Sequence, residues 1–310
     1  MHNSESAFPT ILCSGFYSYG PNSLLCRTPM GHQWGGFLCG DLASKMREEG
    51  CLVLEGDVSP TSSNWDRACE MYACIKGGRV DYGAQHAKKF GHARYGREYP
   101  GLYPEWDTAH PVDLWSHSMG APEIRILTSL LCCGCPEEMQ ADSPSPLFAG
   151  GSGKMVRSVT TFAGANNGTS IADLAYYALA KSTGSERRGK KVLSAILDGL
   201  DLVLSRKPLN AFMDTYVSAW SGLDRCRTED LGFYDLTAEG AKKINERYPD
   251  CPDTYYFAYP TSTTRRAKCG SVQVPQRETL IYGIPALIMG SYTDSHVRAA
   301  GRNRVRKMMA

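Results

Sequence analysis

The chain has 310 residues, of which 42% are hydrophobic and 21% are charged. This balance is typical of a folded globular protein and excludes a disordered chain. No apolar run approaches the roughly 18 residues that a membrane-spanning helix needs, and a net charge of +2 gives no reason to expect nucleic acid as a partner.

The cysteine content bears on the compartment. Twelve cysteines are many for this length, and several stand in apolar segments, where a free thiol behaves as a small hydrophobic side chain. We therefore predict a reduced chain rather than a disulfide framework. The first seven residues are polar and do not resemble a signal peptide, which favours the cytoplasm. The other interpretation is that the chain lacks its natural N-terminus.

The first half of the chain alternates predicted strands and helices. An apolar run at 8–16 that ends in a turn predicts a buried strand, and 51–58 predicts a second. Apolar residues at helical spacing predict a helix over 34–49, which Gly50 would end. Another helix is predicted at 66–75, before two glycines.

The alternation continues from residue 112 onward. Strands are predicted where apolar, β-branched or aromatic residues cluster, at 112–118, 155–164 and 253–259. Helices are predicted at 119–131, 171–180 and 192–204. Strands that alternate with helices indicate an α/β fold, with a mostly parallel sheet covered on both faces.

One short motif stands at the junction of the third predicted strand and the helix after it. Ser116-His117-Ser118-Met119-Gly120 follows the pattern of a nucleophile elbow, with Ser116 in place of the first glycine. The sharp turn demands small residues on both sides of the serine, because bulky neighbours would clash. The motif predicts Ser118 as a nucleophile; the other interpretation is an ordinary strand, turn and helix.

An oxyanion hole needs two backbone N–H groups. We expect Met119, the residue after the nucleophile, to supply one of them. The loop after the first strand is expected to supply the other, and in Ser14-Gly15-Phe16 the best candidate is Phe16.

A separate group of metal-binding residue types lies further along the chain. Asp66, His86 and His92 offer the carboxylate and imidazole ligands that suit zinc. On one continuous helix the two histidines would point about 240° apart, but Gly91 can end the helix and let both rings converge. Two unpaired histidines near a surface loop are the alternative.

These motifs belong to a longer series of stretches through which the chain resembles a known family. It is similar to the zinc-containing lipases of thermophilic bacilli and staphylococci, which are α/β-hydrolases. The similarity covers nearly the whole chain. The stretches that carry it are SSNWDRACEMYA, VDYGAQHAKKFGHARYGREYPGL, SHSMG, SVTTFAGANNGTS, FYDLTAEGAKKIN, TYYFAY and MGSY.

The resemblance implies an organisation for the whole chain. It implies a single α/β-hydrolase domain over 1–310, with a mostly parallel sheet flanked by helices. A small zinc-binding subdomain at 62–105 is expected to be inserted after the second strand. The region 171–228 is expected to carry lid-like helices that cover the site.

The resemblance also implies a chemistry and a cofactor. Ser118 would be the nucleophile of a triacylglycerol lipase or carboxylesterase. The substrate would be a lipid or small ester, and the protein would contact lipid surfaces. A buried structural zinc would have two aspartate and two histidine ligands. These ligands are Asp66, His86, His92 and, as the fourth, Asp235.

Part of the family pattern is missing from this sequence. In the family the triad acid and histidine follow the segment that matches MGSY, but here the sequence reads RNRVRKMM where the acid should fall. We therefore expect the C-terminal part with the triad Asp and His, and the last core strand, to be absent, and we expect no calcium. His296 is the one histidine after Ser118, with Asp294 two residues before it.

Two functional hypotheses remain open at this point. The first is a carboxylic ester hydrolase, in which the acyl group is transferred to Ser118 and then to water. The alternative is a catalytically inactive, zinc-stabilised α/β-hydrolase-like protein, or a truncated fragment, that lacks the catalytic His and Asp.

Overall fold

The computed structural model describes residues 8–16, 34–36, 40–173, 229–262, 264–266 and 273–275. Contacts divide the chain into two compact units. The first unit holds the described residues of Met1–Asn166, Arg225–Gly232 and Ile244–Pro260. The second unit holds those of Asn167–Asp224, Phe233–Lys243 and Thr261–Ala310.

Strands and helices alternate along the described residues. The strands are β1 (Thr10–Cys13), β2 (Gly35–Gly36), β3 (Gly40–Asp41), β4 (Val53–Glu55), β5 (Gly78–Asp81), β6 (Tyr95–Tyr99), β7 (Val112–His117), β8 (Val156–Phe162), β9 (Tyr255–Tyr259), β10 (Thr264–Arg266) and β11 (Gln273–Pro275). The helices are α1 (Leu42–Glu48), α2 (Asn64–Lys76), α3 (Ala84–Phe90), α4 (Gly120–Cys133), α5 (Gly232–Asp235) and α6 (Ala238–Arg247). None of these helices has the length and apolar character to cross a membrane.

A five-stranded sheet forms the centre of the first unit. Its strand order is β4-β1-β7-β8-β9, and every neighbouring pair is parallel. The predicted α/β class with a parallel sheet is therefore confirmed. Parallel strands end at the same edge of a sheet. Because Cys13 lies opposite Ser116, the loops after β1 and β7 leave this edge side by side.

Helices cover both faces of the sheet. Successive residues of a strand point to opposite faces, and β1 shows this alternation. Ile11 and Cys13 belong to a large core cluster that includes Ile124 of α4, whereas Leu12 packs with Ala43 of α1 on the other face. These three residues of β1 are fully buried, as expected of an inner strand of a parallel sheet covered on both faces.

The predicted helix over 34–49 was wrong in its first half. The helix α1 begins at Leu42, and β2 and β3 form a short antiparallel pair before it, with Gly35 opposite Asp41. Glycine destabilises a helix interior, and three glycines, Gly35, Gly36 and Gly40, lie within 34–41. Asp41 caps α1, since its Oδ1 accepts a hydrogen bond from the Ser44 N–H at 2.9 Å.

The other predicted elements within the described residues occur with small shifts at their ends. Sequence periodicity did not predict β5, α3, β6 or α6, which are short or rich in charged residues. The helix at 192–204 lies outside the described residues. The predicted helix at 171–180 and the predicted lid-like region at 171–228 have only their first three residues, 171–173, within the described part. Their other residues lie outside it.

Eight of the twelve cysteines fall within the described residues, and all eight are free thiols. Burial raises the pKa of Cys13 and Cys69 well above the usual thiol value. Neutral buried thiols of this kind act as packing residues. The reduced state predicted from the sequence is consistent with these eight residues.

The described residues of the second unit form two local arrangements. The Thr169 N–H donates to the Leu236 carbonyl at 2.7 Å, and the Ala238 N–H, at the start of α6, donates to Asp173 Oδ1 at 3.0 Å. The strands β10 and β11 pair in an antiparallel arrangement. The unit is therefore held partly by hydrogen bonds to the turn before α6.

The start of α4 packs directly on the end of β1. A Cβ atom added at Gly120 would lie 2.7 Å from the Cys13 carbonyl oxygen and 2.9 Å from the Ser14 carbonyl oxygen. Both neighbours are backbone atoms, which cannot move away without displacing the strand and its loop. Glycine at 120 is therefore required by the close approach of the helix to the sheet.

We expect Gly120→Ala to destabilise the protein by about 1–3 kcal/mol through overpacking. The sign of this stability change is informative, because alanine in place of glycine ordinarily stabilises a helix by up to about 1 kcal/mol. Urea unfolding followed by circular dichroism measures the difference. Cys133→Ala, at the exposed end of the same helix, should change the free energy of unfolding by less than about 0.5 kcal/mol. Equal stability of Gly120→Ala and the parent would contradict the packing described here.

Candidate active site and metal centre

Ser118 stands between β7 and α4 in a strained backbone conformation. Its φ is +56°, a region that residues other than glycine rarely adopt. The Ser118 N–H donates to the Phe162 carbonyl at 3.2 Å, and its own carbonyl accepts from Ala121 and Ala165, both at 3.1 Å. These bonds come from the end of β8, the loop after it and the first turn of α4. The surrounding structure thus holds the strained residue in place.

The neighbours of Ser118 suit a sharp turn. Ser116 is fully buried on the last part of β7, and Gly120 is the first residue of α4. Met119 is the N-cap of α4 and is fully buried. The N–H groups at the start of a helix lack partners within the helix, and this end of the helix favours negative charge. The geometry is that of a nucleophile elbow.

The loop after β1 lies beside this elbow. Ser14 directly follows β1, whose last residue lies opposite Ser116. The carbonyl of Ser14 approaches the start of α4 at Gly120. Phe16, two residues further along, is half-buried. The structure therefore brings the predicted loop with Phe16 and the predicted turn with Ser118 and Met119 to the same edge of the sheet.

His110 and His117 are the described histidines nearest to Ser118 in the sequence. His110 is exposed, and its Nδ1 lies 2.9 Å from Asp107 Oδ1. His117 neighbours Ser118 in sequence, and its side chain is exposed. His296 and Asp294 lie outside the described residues.

A second group of side chains converges within the first unit. One ligand atom each of Asp66, His86, His92 and Asp230 can be chosen so that all four atoms lie within 4.8 Å of one another. His86 Nε2 lies 3.1 Å from Asp66 Oδ1 and 3.3 Å from Asp230 Oδ1, and His92 Nε2 lies 3.4 Å from Asp230 Oδ2. These four residues could hold a metal ion.

The same atoms fit a metal better than they fit one another. Oδ1 of Asp66, Nε2 of His86, Nε2 of His92 and Oδ1 of Asp230 are all buried, and none makes a hydrogen bond of acceptable geometry with a described residue. Buried polar atoms without partners are costly. A cation at their common centre would satisfy all four at once.

Local structure explains how the two histidines meet. His86 lies in the first turn of α3, and Gly91 ends that helix with φ +75°, in the left-handed conformation. The chain then turns back, so that His92 faces the same centre as His86. The prediction that Gly91 would break the helix is confirmed.

Two neighbours fix the orientation of His86. The carboxylate of buried Glu138 accepts hydrogen bonds from the backbone N–H groups of Gln85 and His86, at 2.9 and 2.8 Å. The indole of Trp65 stacks on the His86 ring, with 5.2 Å between ring centroids and 19° between ring planes. The Trp65 Nε1–H donates to the Tyr82 carbonyl at 2.7 Å. The ring is therefore held in position before any ligand arrives.

Two effects set the pKa values at this centre: burial of the ionisable groups and contact between the histidines and the carboxylates. Burial raises the pKa of the Asp66 carboxyl. Burial alone would lower the pKa of His86, but contacts with Asp230 and Asp66 outweigh it and raise this pKa to about 9. Burial likewise opposes ionisation of Asp230, whereas the contact with His86 lowers its pKa. The centre thus stabilises positive charge.

The fourth predicted ligand needs a correction. The carboxylate beside the two histidines belongs to Asp230, and Asp235, the last residue of α5, is not among the converging side chains. The two aspartates are five residues apart in one segment. A bridge between Ser62 and Leu231 aligns this segment with the chain just before α2. That tertiary pairing selects Asp230, and no local sequence signal distinguishes it from Asp235.

Comparison with known proteins identifies the family of the chain. The family model described as "Lipase-like, C-terminal domain" matches residues 6–302. Lipase 1 of Staphylococcus aureus (strain NCTC 8325 / PS 47) is 35% identical over 274 residues, which cover 84% of this chain and 39% of that protein. A lipase of Staphylococcus epidermidis is 34% identical over 301 residues, covering 94% of this chain and 43% of that protein. The chain thus spans less than half the length of these relatives.

Two solved structures are similar over most of the chain. EstA from Clostridium botulinum has 36% sequence identity and a TM-score of 0.75, covering 94% of this chain and 71% of that chain. The Staphylococcus hyicus lipase has 28% identity and a TM-score of 0.73, covering 95% and 77%. With the family model matching nearly all of its residues, the chain belongs to the family of lipase-like C-terminal domains.

Proposed function

We propose that this chain is a carboxylic ester hydrolase of the lipase type, with Ser118 as its nucleophile. The observation that carries the proposal is the strained Ser118, with φ +56°, at the start of α4. Strain at a solvent-accessible serine in a strand-to-helix turn is typical of a functional position. The family and the lipase and esterase relatives support the same reaction class.

The reaction divides into two acyl transfers. The Ser118 Oγ forms a bond to the carbonyl carbon of the ester and gives its proton to a base, and the carbonyl oxygen becomes an oxyanion. Collapse of this intermediate breaks the ester bond and releases the alcohol, which takes up the proton. Water then attacks the acyl-serine and releases the carboxylic acid. Backbone N–H groups of Met119 and Phe16 are proposed to stabilise the negative charge in both steps.

The substrate is proposed to be a triacylglycerol or a simpler carboxylic ester. This assignment rests on the relatives, which are named lipases, and on the similar structure of EstA. The described imidazoles belong to the metal group or lie on the surface. Activity of the isolated chain therefore decides between an enzyme and an inactive relative of the lipases.

We further infer that the metal group binds one structural zinc ion. Two imidazoles and two carboxylates from Asp66, His86, His92 and Asp230 form a four-ligand set of the kind that zinc occupies tetrahedrally. Four protein ligands leave no open position for substrate, so the role is structural. The ligands come from α2, α3, the residue after Gly91 and the segment at 230, so the ion would link parts distant in the sequence.

We expect Ser118→Ala to lower the hydrolysis of a short-chain nitrophenyl ester by at least about 10³-fold. The reason is that the attacking oxygen is removed while the fold is kept. Ser129→Ala, which removes a buried hydroxyl from the same helix α4, should leave the rate within about twofold of the parent. Equal, background rates for the parent and Ser118→Ala would favour the inactive alternative.

We expect about one zinc ion per chain in the purified protein and none in Asp230→Ala. Elemental analysis by mass spectrometry measures the metal content, and calorimetry measures stability. Loss of the ion should lower Tm by roughly 5 °C or more, because the buried ligands are left unpartnered. Asp235→Ala is the matched control and should keep its zinc. Zinc retained in Asp230→Ala and lost in Asp235→Ala would refute the assignment.

A further inference from the structure

Arg67 is a fully buried arginine close to the candidate active site. Its side chain has no solvent exposure, and neither has that of Glu123. The Arg67 Nε–H donates to Glu123 Oε2 at 2.8 Å, and Nη2 donates to the Ser14 carbonyl at 2.6 Å. The third nitrogen, Nη1, donates to the carbonyl of Ser59. One guanidinium thus binds three acceptors from three separate parts of the chain.

The three acceptors surround the elbow and its neighbouring loop. Ser14 begins the loop after β1 that holds Phe16, and Glu123 lies in the first turn of α4. Ser59 follows β4, and its N–H donates to Glu70 Oε2 at 2.5 Å, so this loop is fixed as well. Arg67 therefore ties the loop after β1 to the helix that begins at the nucleophile.

The contact with Ser14 restrains the backbone that leads to Phe16. The Ser14 carbonyl and the following N–H belong to one planar peptide group, so a donor on the carbonyl fixes the orientation of that plane. The next peptide group carries the Phe16 N–H, and Gly15 is the hinge between the two planes. Glycine has wide backbone freedom, so the loop needs an external restraint to keep one conformation.

We propose that Arg67 is a positioning residue for the oxyanion hole. It holds the loop 14–16 so that the Phe16 N–H points to where the oxyanion forms, while acting only through the backbone of Ser14. This inference rests on the proposed ester hydrolase function. It identifies a side chain that does not belong to the nucleophile elbow or to the metal group as a determinant of the rate.

The choice of arginine fits this role better than a role in stability. A buried ion pair contributes little or nothing to stability compared with well-packed apolar residues of similar volume. The guanidinium instead offers several donors in a rigid fork, which lysine cannot reproduce. Arg67 uses all three nitrogens on different partners, so its geometry, rather than its charge alone, is what the site uses.

Loss of the Arg67 contact with Ser14 is expected to lower kcat and to leave KM nearly unchanged. Oxyanion donors stabilise charge that develops only in the transition state, so a misplaced donor leaves substrate binding nearly unchanged. Removing an oxyanion donor outright costs about 10²–10³-fold in kcat, and a donor displaced by a mobile loop should cost about tenfold or more.

The test replaces the ion pair without leaving a buried charge. The variant Arg67→Met/Glu123→Met removes both partners and the donor to Ser14. It should keep a cooperative unfolding transition, lose kcat by about tenfold or more, and keep KM within about twofold. The kcat of Arg67→Lys should lie between those of this variant and the parent, because one ammonium group can reach only some of the three acceptors.

A second arginine–carboxylate pair, less buried than Arg67 and Glu123, serves as the control at the other end of the sheet. Arg157 and Asp113 form an arginine–carboxylate pair near the start of β7 and β8. Arg157→Met/Asp113→Asn removes that pair and should change stability without changing kcat by more than about twofold. A general loss of stability would lower activity in both double variants, whereas loss of positioning lowers it only in the first.

Hydrogen exchange measured by mass spectrometry provides a readout that does not need activity. Peptides that cover residues 14–16 should exchange faster in Arg67→Met/Glu123→Met and in Arg67→Lys than in the parent and the control. Unchanged exchange there would overturn the positioning role even if the parent hydrolyses no ester, in which case the proposed function fails separately. In an active protein, an unchanged kcat of Arg67→Met/Glu123→Met would overturn it as well.

Discussion

The candidate active site depends on the parallel pairing of β1 with β7. The register that places Cys13 opposite Ser116 brings the ends of both strands to one edge. The loop with Phe16 and the turn with Ser118 therefore start side by side, although about a hundred residues separate them in the sequence. The close approach of α4 at Gly120 then leaves no room for a side chain between helix and loop. Strand register, more than any single residue, determines that the two parts can act on one substrate.

The helix α2 connects this edge with the metal group. Three consecutive residues of α2 point in directions about 100° apart and reach different surroundings. Trp65 stacks on His86, Asp66 belongs to the metal group, and Arg67 binds the loop after β1 and α4. Any shift of α2 would change the stacking, the metal ligands and the loop together. We infer that a metal held at Asp66 would help to keep Arg67 in register with the active site.

Burial of polar residues explains why sequence periodicity locates α2 but does not indicate its role. Asn64, Arg67 and Glu70 are as buried as the apolar residues of the same helix. Each of the two charged side chains finds specific partners, Arg67 in Glu123 and two carbonyls, and Glu70 in the N–H of Ser59 and the hydroxyl of Tyr82. A helix that is buried on every side lacks the polar face that an amphipathic pattern predicts. Local rules thus identify the helix and miss its role.

The sequence by itself determined the parallel α/β class, the strand and helix around Ser118, the loop that ends in Phe16 and three of the four residues of the metal group. These follow from short-range physics: hydrophobic runs, small residues at a tight turn, and Gly91 as a helix end. The tertiary structure alone decided that Asp230 rather than Asp235 joins the histidines, and that Arg67 binds Ser14. Each of these depends on pairing between distant segments, where the same residue types are equally suitable in sequence and only the packed chain distinguishes them.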